Sequence, residues 1–207
     1  MSRVRIIATR CARGFVVPQM TGVSHWIGVA FRKGSMHRPY DMCVMATTMG
    51  EYVHAELMIG KSSTADVFSS YNDHQKGAGF ERSRYDMIET SMWDVYVHPL
   101  ADTSKAQARA LELLAAELKY NFNDLWQCCV RAMLPFEQEV NCMQVDETWT
   151  RRGLFCSQMC LLFMRYLSAT NDLKMQPWPS SIVEKVHSRG CSPNTLHGIV
   201  CRAFVKL

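Results

Sequence analysis

The chain has 207 residues, 48% of them hydrophobic and 20% charged, which is enough apolar material for one folded domain with a sizeable core. Its formal net charge of +4 comes without a polybasic run; Arg3, Arg5, Arg10 and Arg13 interleave with apolar residues, so no nucleic-acid partner is expected. Nine cysteines, an odd number, show no C-x-x-C and no Cys/His spacing that suits zinc, so neither a metal nor any other cofactor is implied.

Unpaired thiols, fourteen methionines and no recognisable signal peptide suggest a reducing, intracellular compartment. The longest apolar run, Met159 to Met164, is far too short to span a bilayer; no transmembrane segment is expected, and only peripheral membrane contact stays open.

In chain order, residues 4–17 carry short apolar stretches broken by Arg and Gly. Ser24 to Arg32 predicts a strand ending at Gly34, followed by a loop through Pro39, and Met42 to Ala46 reads as a second, short buried strand. Tyr52 to Gly60 predicts a strand with His54, Glu56 and Met58 on one face and Ala55, Leu57 and Ile59 on the other. Gly60 to Thr64 is turn material, and Asp66 to Tyr71 returns as the antiparallel partner, with Ser69 or Ser70 opposite His54. Residues 72–84, with Gly77 and Gly79, read as a polar loop, and Met92 to Val97 as a further strand.

After Pro99 the pattern turns helical. Asp102, Thr103 and Ser104 offer caps for a helix with an apolar stripe of Leu111, Leu114, Ala115 and Leu118. A second helix is expected over Asn123 to Met133, with Cys128 and Cys129 in its core face, and residues 136–152 read as a lid-like connection. Tyr120, Trp126 and Trp149 are candidates to line a cleft, although packing is the blander explanation and the one preferred. Near the end Ser192 reads as an N-cap and Pro193 as the first residue of a last helix. The whole chain, 1–207, is read as a single domain.

The stretch Gly153 to Arg165 carries the chemistry. Cys156, Cys160, Phe163 and Leu167 recur at helical spacing, and Gly153 breaks the chain just before them, which sets Cys156 in a first helical turn. A thiol there faces unpaired N–H groups and the positive end of the helix dipole, and both favour the nucleophilic thiolate. No Asp or Ser stands in the capping place before Cys156, which leaves those donors for a substrate oxyanion. As structural residues, Cys156 and Cys160 would be small apolar core groups. A nucleophilic cysteine needs a base and a group that orients it. His54 is the candidate base and His25, opening another apolar strand, its rival; Cys191 is a weaker candidate nucleophile. Glu56 shares a face with His54, although residues two apart on a strand are about 6.5–7 Å apart, so contact needs a bent side chain.

Four features together resemble the circularly permuted, NlpC-type papain-like superfamily: His54-Ala55-Glu56-Leu57 on a strand, Ser69-Ser70 on the return strand, Phe155-Cys156-Ser157-Gln158 opening a helix, and the closing Cys191 to Leu196. Relatives include YiiX-type bacterial enzymes, lecithin–retinol acyltransferase-like enzymes and proteins of poxviruses and other large DNA viruses. The resemblance spans about residues 20–200. It implies an α+β fold with a small antiparallel sheet packed against helices, Cys156 as nucleophile and His54 as base. Some relatives place the third polar residue on the strand after the histidine; here that strand carries Ser69 and Ser70, so Glu56 competes with them for the orienting role. The implied activity is a thiol hydrolase or acyltransferase acting on a peptide, isopeptide or lipid ester, in a host cytoplasm or a virion. The alternative is an inactive scaffold that keeps the fold for binding.

Overall fold

The computed structural model describes residues 6–10, 16–20, 23–61, 64–73, 77–82, 90–116, 118, 141–144, 153–170, 186 and 190–207. The helix expected at 123–133, the cysteines Cys128 and Cys129, the aromatics Tyr120, Trp126 and Trp149, and most of the 136–152 connection lie outside these residues.

Strands β1 (Ile6–Arg10) and β2 (Val16–Met20) form a two-stranded antiparallel pair. A six-stranded antiparallel sheet contains β3 (His25–Lys33), β4 (Tyr52–Lys61), β5 (Thr64–Asp73), β6 (Gly77–Arg82), β7 (Trp93–Leu100) and the short β8 (Val205–Lys206). Its strand order is β6-β5-β4-β3-β7-β8. The helices among the described residues are α1 (Pro39–Thr48), α2 (Ser104–Ala115), α3 (Cys156–Ala169) and α4 (Pro193–Val200). The fold is α+β, a mostly sequential antiparallel sheet with helices against it.

Central strand β3 is apolar on both sides because both sides are covered. One face, Ile27, Val29 and Phe31 with Ala55, Leu57 and Ile59 of β4, packs in one cluster with Leu113 of α2, Leu161 and Leu162 of α3 and Leu196 and Val200 of α4. The other face sets Trp26 and Ala30 beside Met58 and Val97. Trp26 lies across from Gly60 in register, and a Cβ on Gly60 would sit 1.9 Å from the indole, so only glycine lets the ring lie on β4. Helix α3 is more than amphipathic: every residue from Cys156 to Met164 is buried, the mark of a helix enclosed on all sides.

Three expectations are corrected. The inward face of α2 is Ala106, Arg109, Ala110 and Leu113, while Leu111 and Ala115 of the expected stripe are exposed. Met42 to Ala46 is not a strand but the middle of α1. A five-residue apolar run fits either form; here Pro39 supplies the first helical residue, and Asp41 in the first turn is clamped by Arg32 through bonds of 2.9 and 2.8 Å. Residues 72–84 are not simply a loop, because β5 runs on to Asp73 and pairs with β6, placing Gly77 and Gly79 within a strand. The closing helix begins as its sequence predicts: Ser192 Oγ accepts the Thr195 N–H at 3.1 Å, with Pro193 next.

The start of β4 is fixed by long-range contacts. Asn194 accepts the Tyr52 N–H at 3.0 Å and donates to the Tyr52 carbonyl at 2.9 Å and to Thr48 Oγ1 at 2.6 Å. The Tyr52 hydroxyl donates to Asp94 at 2.5 Å. Burial works against charge on Asp94, but hydrogen bonds from Lys206, Tyr52 and Lys33 prevail and hold its pKa at about 2. His54 follows two residues after this anchored point.

Candidate active site

The sheet opens where the site lies. Pairing of β4 with β5 runs from Lys61–Thr64 to Leu57–Phe68 and stops there, although both strands continue. The start of α3 is fastened at this parting. Gly153 takes φ 73°, a left-handed turn that suits glycine, and Phe155 is extended before Cys156 begins the helix. The Ser70 hydroxyl donates to the Leu154 carbonyl at 2.6 Å, and the Ser157 hydroxyl donates to the Cys191 carbonyl at 2.6 Å. Both anchors are buried, so the first turn is held from either side.

Phe155 offers no capping side chain, and the first amide bonded within the helix is that of Met159, to the Phe155 carbonyl. The amides of Cys156, Ser157 and Gln158 therefore precede the helical ladder. That of Ser157 bonds the Cys156 sulfur, as does the Ala55 amide from β4.

His54 meets three partners. Its Nε2 lies 2.9 Å from Ser69 Oγ and 3.5 Å from Glu56 Oε1, and the ring hydrogen-bonds Cys156. With Nε2 engaged, Nδ1 is the nitrogen left for the thiol. Burial disfavours the charged form of His54, but the charge of Cys156, the hydrogen bond to it and the nearby Glu56 reverse this and raise its pKa to about 10. Burial likewise pushes the Cys156 thiol up; the charge and hydrogen bond of His54, with the two amides, bring it below its ordinary value. Each partner favours the other's charged form.

Cys156, His54, Glu56 and Ser69 are thus brought together. The bend needed for Glu56 to approach His54 is present. Ser70 is not part of the cluster, since its hydroxyl is turned to Leu154. Nor does either serine face His54 in the ladder, which stops at Leu57–Phe68, short of all three residues. His25 is remote. Arg32 faces His54 in register, and His25 precedes Arg32 by seven residues, about 23 Å along β3. It is engaged with Thr103 Oγ1 at 3.1 Å instead. Cys160 lies one turn below Cys156, where burial and then the neighbouring Cys156, Cys191 and Glu56 push its pKa well up. Cys191 is buried and takes part through its carbonyl.

Sequence reasoning missed Trp93, which opens β7 and meets the His54 ring edge-on, 6.3 Å between centroids at 77°. Nothing local marks it; it reaches His54 because Arg32 lies between them in both registers. The Ala55 side chain belongs to the apolar face, and its amide's role follows only from the parting of the strands. Among the described residues no group of three or more His, Cys, Asp or Glu is arranged to hold a metal ion, and no helix is long and apolar enough to cross a membrane. Compared with known proteins, the chain matches no family model, no curated protein and no solved structure.

Proposed function

We propose that the chain is a thiol hydrolase or acyltransferase of permuted papain-like order, with Cys156 as nucleophile and His54 as its general base and acid. The observation that carries this reading is the Cys156–His54 pair at the first turn of a buried helix, each partner shifted toward its charged form. A structural cysteine in an apolar surrounding is shifted the opposite way, as Cys160 is.

The chemistry follows from the placement. The Cys156 thiolate attacks an amide or ester carbonyl, and the electron pair moves onto oxygen. The amides of Cys156 and Gln158, at the positive end of α3, are the donors suited to that oxyanion. As the tetrahedral centre collapses, the His54 proton passes to the departing amine or alcohol, leaving an acyl-thioester and neutral imidazole. Water, deprotonated by His54, then releases the acid; in a transferase another nucleophile takes its place. Peptide, isopeptide and lipid ester all satisfy this scheme, and no cofactor is required by it.

The binding-scaffold reading has one observation in its favour: Cys156 is only 1% exposed, so a substrate carbonyl must displace its cover to reach the sulfur. Incubation with a panel of activated amides and esters separates the two. The enzyme reading expects an adduct on Cys156 equal to probe mass less leaving group, absent in Cys156→Ala and greatly slowed in His54→Ala. An unmodified Cys156 across the panel, in a folded protein, refutes it.

A further inference from the structure

We infer that Ser69 is a positioning residue that relays the charge of Glu56 to His54: its hydroxyl accepts the Nε2 proton and donates its own proton to the Glu56 carboxylate. The inference rests on the Cys156–His54 reading and deepens it.

The geometry of one nitrogen is the starting point. Nε2 carries a single in-plane N–H, and two oxygens compete for it. Ser69 Oγ at 2.9 Å is at hydrogen-bond length, whereas Glu56 Oε1 at 3.5 Å lies outside the usual 2.7–3.2 Å range for N–H···O. The hydroxyl therefore fixes the ring, and the carboxylate supplies charge from a step further away. A hydroxyl that accepts from Nε2 has its own proton to place, and Ser69 is fully buried, where water is not the ready acceptor. Ser69 Oγ and Glu56 Oε1 both stand within 3.5 Å of the same nitrogen, and Glu56 is itself 1% exposed, so the carboxylate is the acceptor at hand. Ser70, the next residue, cannot substitute, because its hydroxyl holds Leu154.

Among the described residues, the other groups around the ring do not duplicate this contact. Cys156 approaches from α3, Trp93 from β7 offers a ring edge, and Arg32 on β3 is tied to Asp41 by a bidentate pair. Such an arrangement divides the orienting and the charge-stabilising roles between two residues. Ser69 sets the ring plane and Glu56 stabilises the imidazolium, and neither suffices without the other.

The test is a titration of the His54 ring by NMR in full-length Cys156→Ala protein, with Ser69→Ala, Ser69→Thr, Glu56→Gln and the Ser69→Ala/Glu56→Gln double variant added to it. Using the thiol-free background makes the result independent of whether Cys156 is a nucleophile, which the alkylation profile of the wild-type protein reads separately. A relay predicts that Ser69→Ala and Glu56→Gln each raise the acidity constant of the ring by roughly ten- to a hundredfold, the worth of a hydrogen bond to a charged group. The double variant should go no further than either single, because both interrupt the same path, and Ser69→Thr should retain the parent value. If Ser69→Ala leaves the titration in place while Glu56→Gln shifts it, or if the two shifts add, Glu56 acts on His54 directly and the relay is wrong.

Discussion

Replacing His54 by alanine puts a number on the activated pair. In the folded protein the sulfur keeps its charge against burial through the imidazolium and through the amides of Ala55 and Ser157. With the imidazolium gone the amides remain, but burial is no longer opposed by a counter-charge. The inflection for Cys156 ionisation should then rise at least to that of a free thiol, about 8.5, leaving no more than about 3% thiolate at pH 7. From a fully ionised sulfur that is a loss of roughly 30-fold in reactive species, reduced somewhat because a more basic thiolate attacks faster. The assay is the rate of iodoacetamide labelling of the Cys156 peptide by mass spectrometry across pH, with circular dichroism to confirm folding. Wild-type protein should have its Cys156 inflection below the free-thiol value and change again only where His54 loses its proton, near 10. His54→Ala should show one inflection at or above the free-thiol value. Identical profiles for the two proteins would refute the pair, and with it the proposed enzyme.

The same pair should shape stability. The raised pKa of His54 contributes stability that is present below the unfolded value of about 6.5 and lost as pH rises through about 10, while the lowered pKa of Cys156 contributes stability present above about 8.5 and lost as pH falls through its folded value. The gain from Cys156 as pH rises and the loss from His54 as pH rises oppose one another, so urea midpoints of wild type relative to Cys156→Ala should differ most between about 6.5 and 8.5 and converge on either side. In a brief labelling at mildly acidic pH, Cys156 should react ahead of the exposed Cys201, and buried Cys160 should remain unlabelled. His25→Ala should leave the Cys156 alkylation profile unchanged and cost about 0.5–1.5 kcal/mol in urea melts, for the bond to Thr103. Gly60→Ala, which drives a methyl group into Trp26, should cost about 1–3 kcal/mol or more by the same measurement.

What the sequence made legible was local. Alternation along 52–60 put His54 and Glu56 on one face of β4, Gly153 and the apolar spacing after it put Cys156 at a helix start, and Ser192-Pro193 marked the start of α4. What it hid was set at long range. The apolar run of helix α1 is short enough to suit a strand equally, and the Arg32–Asp41 clamp that favours the helix joins residues of two elements. β6 was hidden by its glycines, which are tolerated because β5 continues past its pairing with β4 and supplies a partner. The choice between Ser69 and Ser70 needed the residue at which that pairing stops, and no pattern in either strand encodes it.

That stopping point makes three contributions at once. Were β4 and β5 paired through residue 54, the edge of β4 that faces β5 would be spent on a ladder. Because they part after Leu57–Phe68, the Ala55 amide is left to meet the Cys156 sulfur, Ser70 is left to hold Leu154 ahead of it, and Ser69 is left to reach the His54 ring. β6 takes up the other edge of β5 and keeps it a strand without β4. The helix terminus needs partners for its unladdered groups and the parted strand edges need the same, so joining the two satisfies both. A cysteine at that junction acquires two amide donors and a histidine, and these are the neighbours a thiolate requires.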